Sequence, residues 1–245
     1  MDLVVLGAAG GWAGPGGAAS GYLVRHDGFN LWVDAGTGTL ANLQEHIGLL
    51  DVGAIVVSHR HFDHFLDLYP YFLARWFRDP RPPKVPLFAP PGMFEHALQL
   101  EGDLAGVFDL HVVEPGEAFH PGPFAVRTAL MAHPVPTLGM RIEADGTALA
   151  YTADTGPSEP LVELARGADL LLSEATWLER PAGAPLALHL TAREAGEQAA
   201  RAGVGGLVLT HLLPTTDRNA AMHEADQGSG GGPVTAPVEG TTIEP

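Results

Sequence analysis

The 245-residue chain contains no cysteine, which removes disulfides, zinc–thiolate centres and cysteine nucleophiles from consideration. The same absence fits a reducing compartment. Basic residues are scarce: 13 Lys and Arg stand against 29 Asp and Glu, a formal net charge of −16. A surface of that sign repels phosphate backbones, so broad binding to nucleic acid is disfavoured. The argument weakens inside a cleft whose acids hold divalent cations, because the cations reverse the local sign. No window reaches the ~20 apolar residues of a membrane helix. The N-terminus enters an apolar run, Leu3 to Leu6, with no basic segment before it, so no secretory signal is expected. Together these absences lead us to expect a soluble, cytoplasmic protein with no membrane partner. The chain is rich in apolar residues, 46 % hydrophobic against 17 % charged, enough for a sizeable core.

Leu3–Leu6, Gly21–His26 and Asn30–Asp34 read as strands, the last two joined by the hairpin dipeptide Asp27-Gly28. Ala54–Ser58 is a compact β-branched run that suits a buried strand. Further strands are expected at Leu87–Ala89, Phe108–Val113, Phe124–Ala129, Met140–Glu143, Ala148–Thr152, Leu170–Ser173 and Leu207–Thr210, with Asp145-Gly146 as a second hairpin signal. Helices are expected at Leu40–Ile47, Phe65–Phe77, Pro91–Leu100, Pro160–Arg166 and Thr191–Ala202. The last begins in a capping box, Thr191 with Glu194, and ends at Gly203. Strands and hairpins followed by strand–helix alternation occur twice. That pattern predicts an α/β (α+β) fold of four layers, an αββα sandwich with two packed sheets inside. Residues 1–225 are expected as a single domain. Residues 226–245 are Gly/Pro-rich and are expected as a loose tail with one edge strand.

The strongest chemical signal is Ser58-His59-Arg60-His61-Phe62-Asp63-His64, four candidate ligands directly after a buried strand. Residues two apart at a strand end point the same way, so His59 and His61 can grip one ion. Asp63 and His64, on the turn beyond, can face a second. Imidazole with carboxylate is a zinc-type donor set that Mn²⁺ or Fe²⁺ can also use.

H-x-H-x-D-H after a strand resembles the signature of the metallo-β-lactamase superfamily. Later segments resemble that family's further motifs in order: Ala132-His133-Pro134, Tyr151-Thr152-Ala153-Asp154-Thr155-Gly156 and Leu209-Thr210-His211. The resemblance implies that His59, His61 and His133 hold one metal, that Asp63, His64 and His211 hold another, and that Asp154 bridges the two. It also implies an aspartate beneath the site, Asp34, as partner of a ligand histidine. Taken alone, His133 also fits a plain loop residue, Asp154 a turn cap, His211 a structural strand-end histidine, and Asp34 a turn-forming residue before Gly36.

Leu188-His189-Leu190-Thr191-Ala192 and Ser173-Glu174-Ala175-Thr176 resemble motifs of ribonuclease Z and its phosphodiesterase relatives, in which a glutamate-supported histidine assists phosphodiester cleavage. Here the pair is His189 and Glu174; their alternative roles are a neighbour of the capping box and a solvated carboxylate. The chain departs from ribonuclease Z in having no basic insertion to grip tRNA, and Leu212-Leu213-Pro214 follows His211. The expected function is therefore hydrolysis of a small phosphodiester such as a cyclic nucleotide. Two Zn²⁺ ions would acidify a bridging water, Asp63 or Asp154 would orient it, and His189 would assist the leaving group.

Four alternatives stand beside this one: tRNA 3′-processing of ribonuclease Z type, a carbonyl-ester hydrolase (thioesterase, lactonase or β-lactamase-like), a metal-stabilised scaffold without catalysis, and a dinucleotide-binding unit at Gly7–Gly11. The last is set aside because Trp12–Ser20 lacks the helix such a unit needs. Trp12, Phe62, Trp76 and Trp177 are candidate pocket aromatics. Family relatives form homodimers, and Phe65–Phe77 is the candidate apolar surface for one here.

Overall fold

The protein is described by a computed structural model covering residues 1–97, 99, 103–186 and 188–245. Among these residues the strands form two seven-stranded sheets. The first contains β1 (Asp2–Gly7), β2 (Gly21–His26), β3 (Phe29–Ala35), β4 (Ala54–Val56), β5 (Val85–Ala89) and β6 (Phe108–Val112) in chain order. The second contains β7 (Ala118–Phe119), β8 (Ala125–Leu130), β9 (Leu138–Ala144), β10 (Thr147–Tyr151), β11 (Leu170–Glu174), β12 (Gly206–Thr210) and β13 (Val234–Thr235). A last strand, β14 (Thr242–Ile243), returns to the first sheet beside β1. Each sheet begins with antiparallel neighbours and continues parallel, from β3 to β6 in one and from β10 to β13 in the other.

Strand side chains alternate between two apolar environments because both faces of each sheet are covered. Leu3 and Val5 of β1 point into the layer between the sheets, with Val24, Leu31, Met140, Ile142, Leu149 and Leu172. Val4 and Leu6 point outward, under α1 (Thr39–Leu43), α2 (Leu68–Trp76) and α3 (Met93–Ala97). The second sheet's outer face is covered by α4 (Glu159–Ala165), α5 (Ala192–Ala202) and α6 (Arg218–Ser229). The expected αββα sandwich is the observed fold. Both hairpin dipeptides have positive φ at each residue, 47° and 75° at Asp27-Gly28 and 48° and 82° at Asp145-Gly146, the geometry that matches strand twist in a two-residue loop. Thr191 and Glu194 form the capping box, and Gly203 closes α5 in the left-handed conformation.

Several boundaries differ from expectation. The helix expected over Leu40–Ile47 ends at Leu43, and the one expected from Phe65 begins at Leu68, after a 3₁₀ turn at Phe62–His64. The Pro91–Leu100 helix is present as Met93–Ala97; Leu98 and Leu100 lie outside the described residues. α6 and β7 were not expected. α6 carries the chain past Asp226 to Ser229, and two edge strands follow, one on each sheet, where a loose tail with one strand was expected. The apolar Phe65–Phe77 segment is largely core: Leu68, Tyr71 and Phe72 are buried, and Leu73 and Phe77 remain exposed. Residues 12–20 contain no helix, which rules out the dinucleotide unit. Among the described residues no helix is long and apolar enough to cross a membrane.

Candidate active site

The C-terminal ends of β3, β4, β10, β11 and β12 meet at one end of the sandwich, and each delivers polar side chains there. After β4, His59 Nε2 lies 3.0 Å from His61 Nδ1, and His133 Nε2, from the turn after β8, lies 3.2 Å from the same atom. Asp154, just past β10, sets Oδ2 at 3.5 Å from His59 and 3.8 Å from His133. A second group forms alongside: Asp63 Oδ2 is 3.2 Å from His211 Nε2 and 3.6 Å from His64 Nε2. The other oxygen of Asp154, Oδ1, is 3.2 Å from His64 Nε2 and 3.3 Å from His211 Nε2. Asp154 thus presents one oxygen to each group. All seven residues predicted as ligands are brought together from four segments of the chain.

The outward nitrogens explain why these rings face inward. His133 Nδ1 donates to the Leu188 carbonyl at 2.9 Å, and His64 Nδ1 donates to Asp34 Oδ2 at 2.7 Å. Ser58 Oγ donates to Asp34 Oδ2 at 2.8 Å, so it accepts from His59 Nδ1 at 3.0 Å. Thr176 Oγ1 donates to Glu174 at 2.7 Å and accepts from His211 Nδ1 at 2.8 Å. Four imidazoles therefore carry a proton on Nδ1 and turn Nε2 toward the centre, the arrangement that orients a metal ligand. Asp34, expected as partner of a ligand histidine, lies beneath His64. Ser58, Thr176 and the Leu188 carbonyl were not assigned these roles. The first two sat inside the quoted motifs, and a carbonyl carries no sequence signal.

The backbone is strained at the same place. Asp34, Ala153 and His211 have φ of 56°, 51° and 52°, a region non-glycine residues seldom occupy and one that clusters at functional sites. Gly10 and Gly36 permit close approach. A Cβ on Gly10 would lie 2.6 Å from His211 Nδ1, and one on Gly36 would lie 2.0 Å from the Asp63 carbonyl. Gly11 N donates to Asp63 Oδ2 at 2.8 Å, so the glycine turn after β1 borders the cleft.

Burial, assisted by neighbouring His59, lowers the His61 pKa to about 4, and burial lowers that of His133 to about 3 against the pull of Asp154. These rings are neutral near pH 7, the form that donates a lone pair. In the second group burial opposes charge but is outweighed. Asp154 and Asp34 hold His64 well above its ordinary value, and Asp154 with Asp63 raises His211 to about 9. Burial likewise opposes ionisation of Asp63, yet His64 and His211 keep it below the usual carboxylate range. Buried His64 Nε2 and Asp154 Oδ1 have no hydrogen-bond partner among the described residues. Protons thus balance carboxylates where a cation would serve equally. Neighbouring ligand atoms of a tetrahedral zinc site with ~2.0–2.1 Å bonds sit about 3.3 Å apart. The separations of 3.0–3.8 Å within the first group match that spacing. The residues fit divalent metal.

His189 reaches the cleft. Its Nδ1 is 2.9 Å from Glu174 Oε1, its ring centroid is 5.4 Å from those of both His133 and His211, and it forms a third cluster with Asp154 and His211. Glu174 is not solvated. It is fully buried and also accepts from Thr155 N, Thr176 Oγ1 and Leu190 N at 2.6, 2.7 and 3.2 Å. A cavity of about 280 Å³ opens here, lined by Gly11, His61, Asp63, Asp154, Trp177 and His189 among others. Trp177 packs edge-on against His189 at 5.3 Å. Trp76 does not line it: it stacks on Phe72 and lies under the Arg81 guanidinium. Trp12 is half exposed and outside the cavity lining.

Two helix-clad sheets with clustered imidazoles and carboxylates at the strand ends define an α/β metallo-hydrolase fold of the metallo-β-lactamase type. The chain belongs to that superfamily: the model of the β-lactamase superfamily domain matches residues 30–212. It is 38 % identical over 254 residues to an uncharacterized protein of Mycobacterium tuberculosis, covering all of this chain and 92 % of that one. It is 31 % identical to the probable metallo-hydrolase YhfI of Bacillus subtilis, over 86 % of this chain and 87 % of YhfI. The YhfI crystal structure superposes with a TM-score of 0.90 over 99 % of both chains. It is also 30 % identical to a ribonuclease Z of Mycobacterium bovis, over 87 % of this chain and 86 % of that enzyme.

Proposed function

We propose that the protein is a dinuclear metal-dependent phosphodiesterase acting on a small phosphodiester such as a cyclic nucleotide. In this reading His59, His61 and His133 hold one cation and Asp63, His64 and His211 another, with Asp154 shared; zinc suits the donor set, and Mn²⁺ or Fe²⁺ can use it. Bound there, the cations would supply Lewis acidity and lower the pKa of a bound water. The chain's own groups do the rest. Asp63, held by Gly11 N at 2.8 Å, and Asp154 orient the nucleophile. Glu174 fixes the His189 imidazole by its Nδ1 at 2.9 Å, leaving the other nitrogen free to protonate the departing oxygen or to stabilise charge on the phosphate.

The observation that carries this reading is the Glu174–His189 pair at the mouth of the cleft, a placement that serves a leaving alkoxide. The ribonuclease Z relative supports a second reading, tRNA 3′-processing. Thirteen basic residues and a net charge of −16 weigh against it, since tRNA needs a cationic track. A substrate panel tests the choice: protein of known metal content is given cyclic AMP, a tRNA precursor and a thioester. Preferential turnover of cyclic AMP is expected. Preference for the tRNA selects the second reading, and preference for the thioester selects carbonyl chemistry.

A further inference from the structure

A second cavity adjoins the cleft across His61. It measures about 310 Å³ and is lined by Arg60, His61, Phe62, His96 and Val135. Phe62 lies in the 3₁₀ turn between His61 and Asp63, yet the candidate ligand set makes no use of it, and 55 % of its surface is exposed. Its ring lies nearly parallel to that of His96, with centroids 5.8 Å apart and planes at 25°. His96 in turn rests edge-on against Phe65 at 5.9 Å, and Phe65 is fully buried. The two stacked rings are thus braced by the core while their outer surface faces the cavity. Arg60, which is exposed, adds a planar cation with several donors.

We propose that this cavity is a nucleobase platform, an inference that rests on the phosphodiester reading of the adjoining cleft. Aromatic rings stack on every base because every base has a π-face, and a guanidinium can both stack and donate to acceptors on a base edge. An alkyl group would cover Arg60 and His96 without giving their polar atoms a partner, which is unfavourable. Because His61 lines both cavities, a phosphate beside His61 places an attached nucleoside within reach of Phe62. The substrate class is accordingly a phosphodiester that carries a base.

Binding of AMP and of ribose 5-phosphate to the zinc-loaded full-length chain, measured by titration calorimetry, tests this independently of turnover. The two probes share the ribose 5-phosphate unit and differ at C1′, where AMP carries the base and the other a hydroxyl. AMP is expected to bind about ten-fold tighter, the lower part of the range for one stacked base. Phe62→Ala and His96→Ala should each shrink that gap, and Phe62→Tyr should preserve it. Equal affinities in the unaltered protein, or a gap that survives both alanine substitutions, overturns the platform. Failure of the phosphodiesterase reading looks different: the base preference persists while the same protein turns over no phosphodiester.

Discussion

Tyr151, the last residue of β10, donates its hydroxyl hydrogen across the interior to Asp34 Oδ2 in the other sheet, at 2.8 Å. That oxygen also takes Ser58 Oγ and His64 Nδ1, and Asp34 Oδ1 takes Ser58 N at 2.7 Å. One buried carboxylate therefore ties both sheets to the histidines of the site. Burial, with Asp34 beside it, pushes the Tyr151 phenol well above its usual range, so it remains a donor.

Asp34→Asn keeps the shape but sets an amide donor against groups that are already donors. We expect metal affinity to fall by about 10–100-fold, the usual effect of removing a partner that orients a ligand histidine. Competition with a chromogenic chelator measures it. Unchanged affinity would separate Asp34 from the metal centre.

His189→Ala removes the imidazole proposed to act on the departing oxygen while leaving all seven proposed ligands in place. The value of kcat for a small phosphodiester should fall by about 100-fold or more, with bound metal per chain unaltered. A change confined to KM would make His189 a binding group only.

Gly10→Ala inserts a methyl 2.6 Å from His211 Nδ1, backed by backbone that has little room to move. His211 must shift, and the second ligand group loses its geometry. The variant should retain less metal than the parent protein after dialysis, and less activity, which metal analysis and rate measurements detect together.

Stability at high pH should follow Tyr71, which lies away from the metal centre. Its hydroxyl donates to the Leu49 carbonyl at 3.0 Å, and burial, opposed by Arg75, pushes it up to about 12. An unfolded phenol titrates at about 10. Below that pH the contribution is whole. Between about 10 and 12 the unfolded chain alone loses the proton, so stability declines as pH rises. Denaturant titrations should show that decline, and Tyr71→Phe should make it shallower without abolishing it, because buried Tyr22 and Tyr151 are also pushed up and contribute with the same sign.

How much of this was legible in the sequence depended on how local each signal was. His59 to His64 declared themselves because four candidate ligands crowd six positions after a β-branched strand. His133, Asp154 and His211 gave no local signal and were placed through resemblance; packing the two sheets is what joins them. Gly21–His26 was bounded correctly because a hairpin dipeptide follows it. α6 was missed because only Ala221 and Ala225 are buried along it, too thin a stripe to read as amphipathic. Trp76 was a candidate pocket residue on composition alone, and its stacking on Phe72 places it in the α2 layer. Thr176, which links Glu174 to His211, needs the fold before its role can be seen.

The most direct test is hydrolysis of bis(p-nitrophenyl) phosphate by protein stripped of metal and then titrated with Zn²⁺ or Mn²⁺. Turnover that rises until about two ions are bound per chain, disappears with chelator and is lost in His61→Ala is the predicted result. A rate indifferent to metal content, or full activity in His61→Ala, would contradict the account.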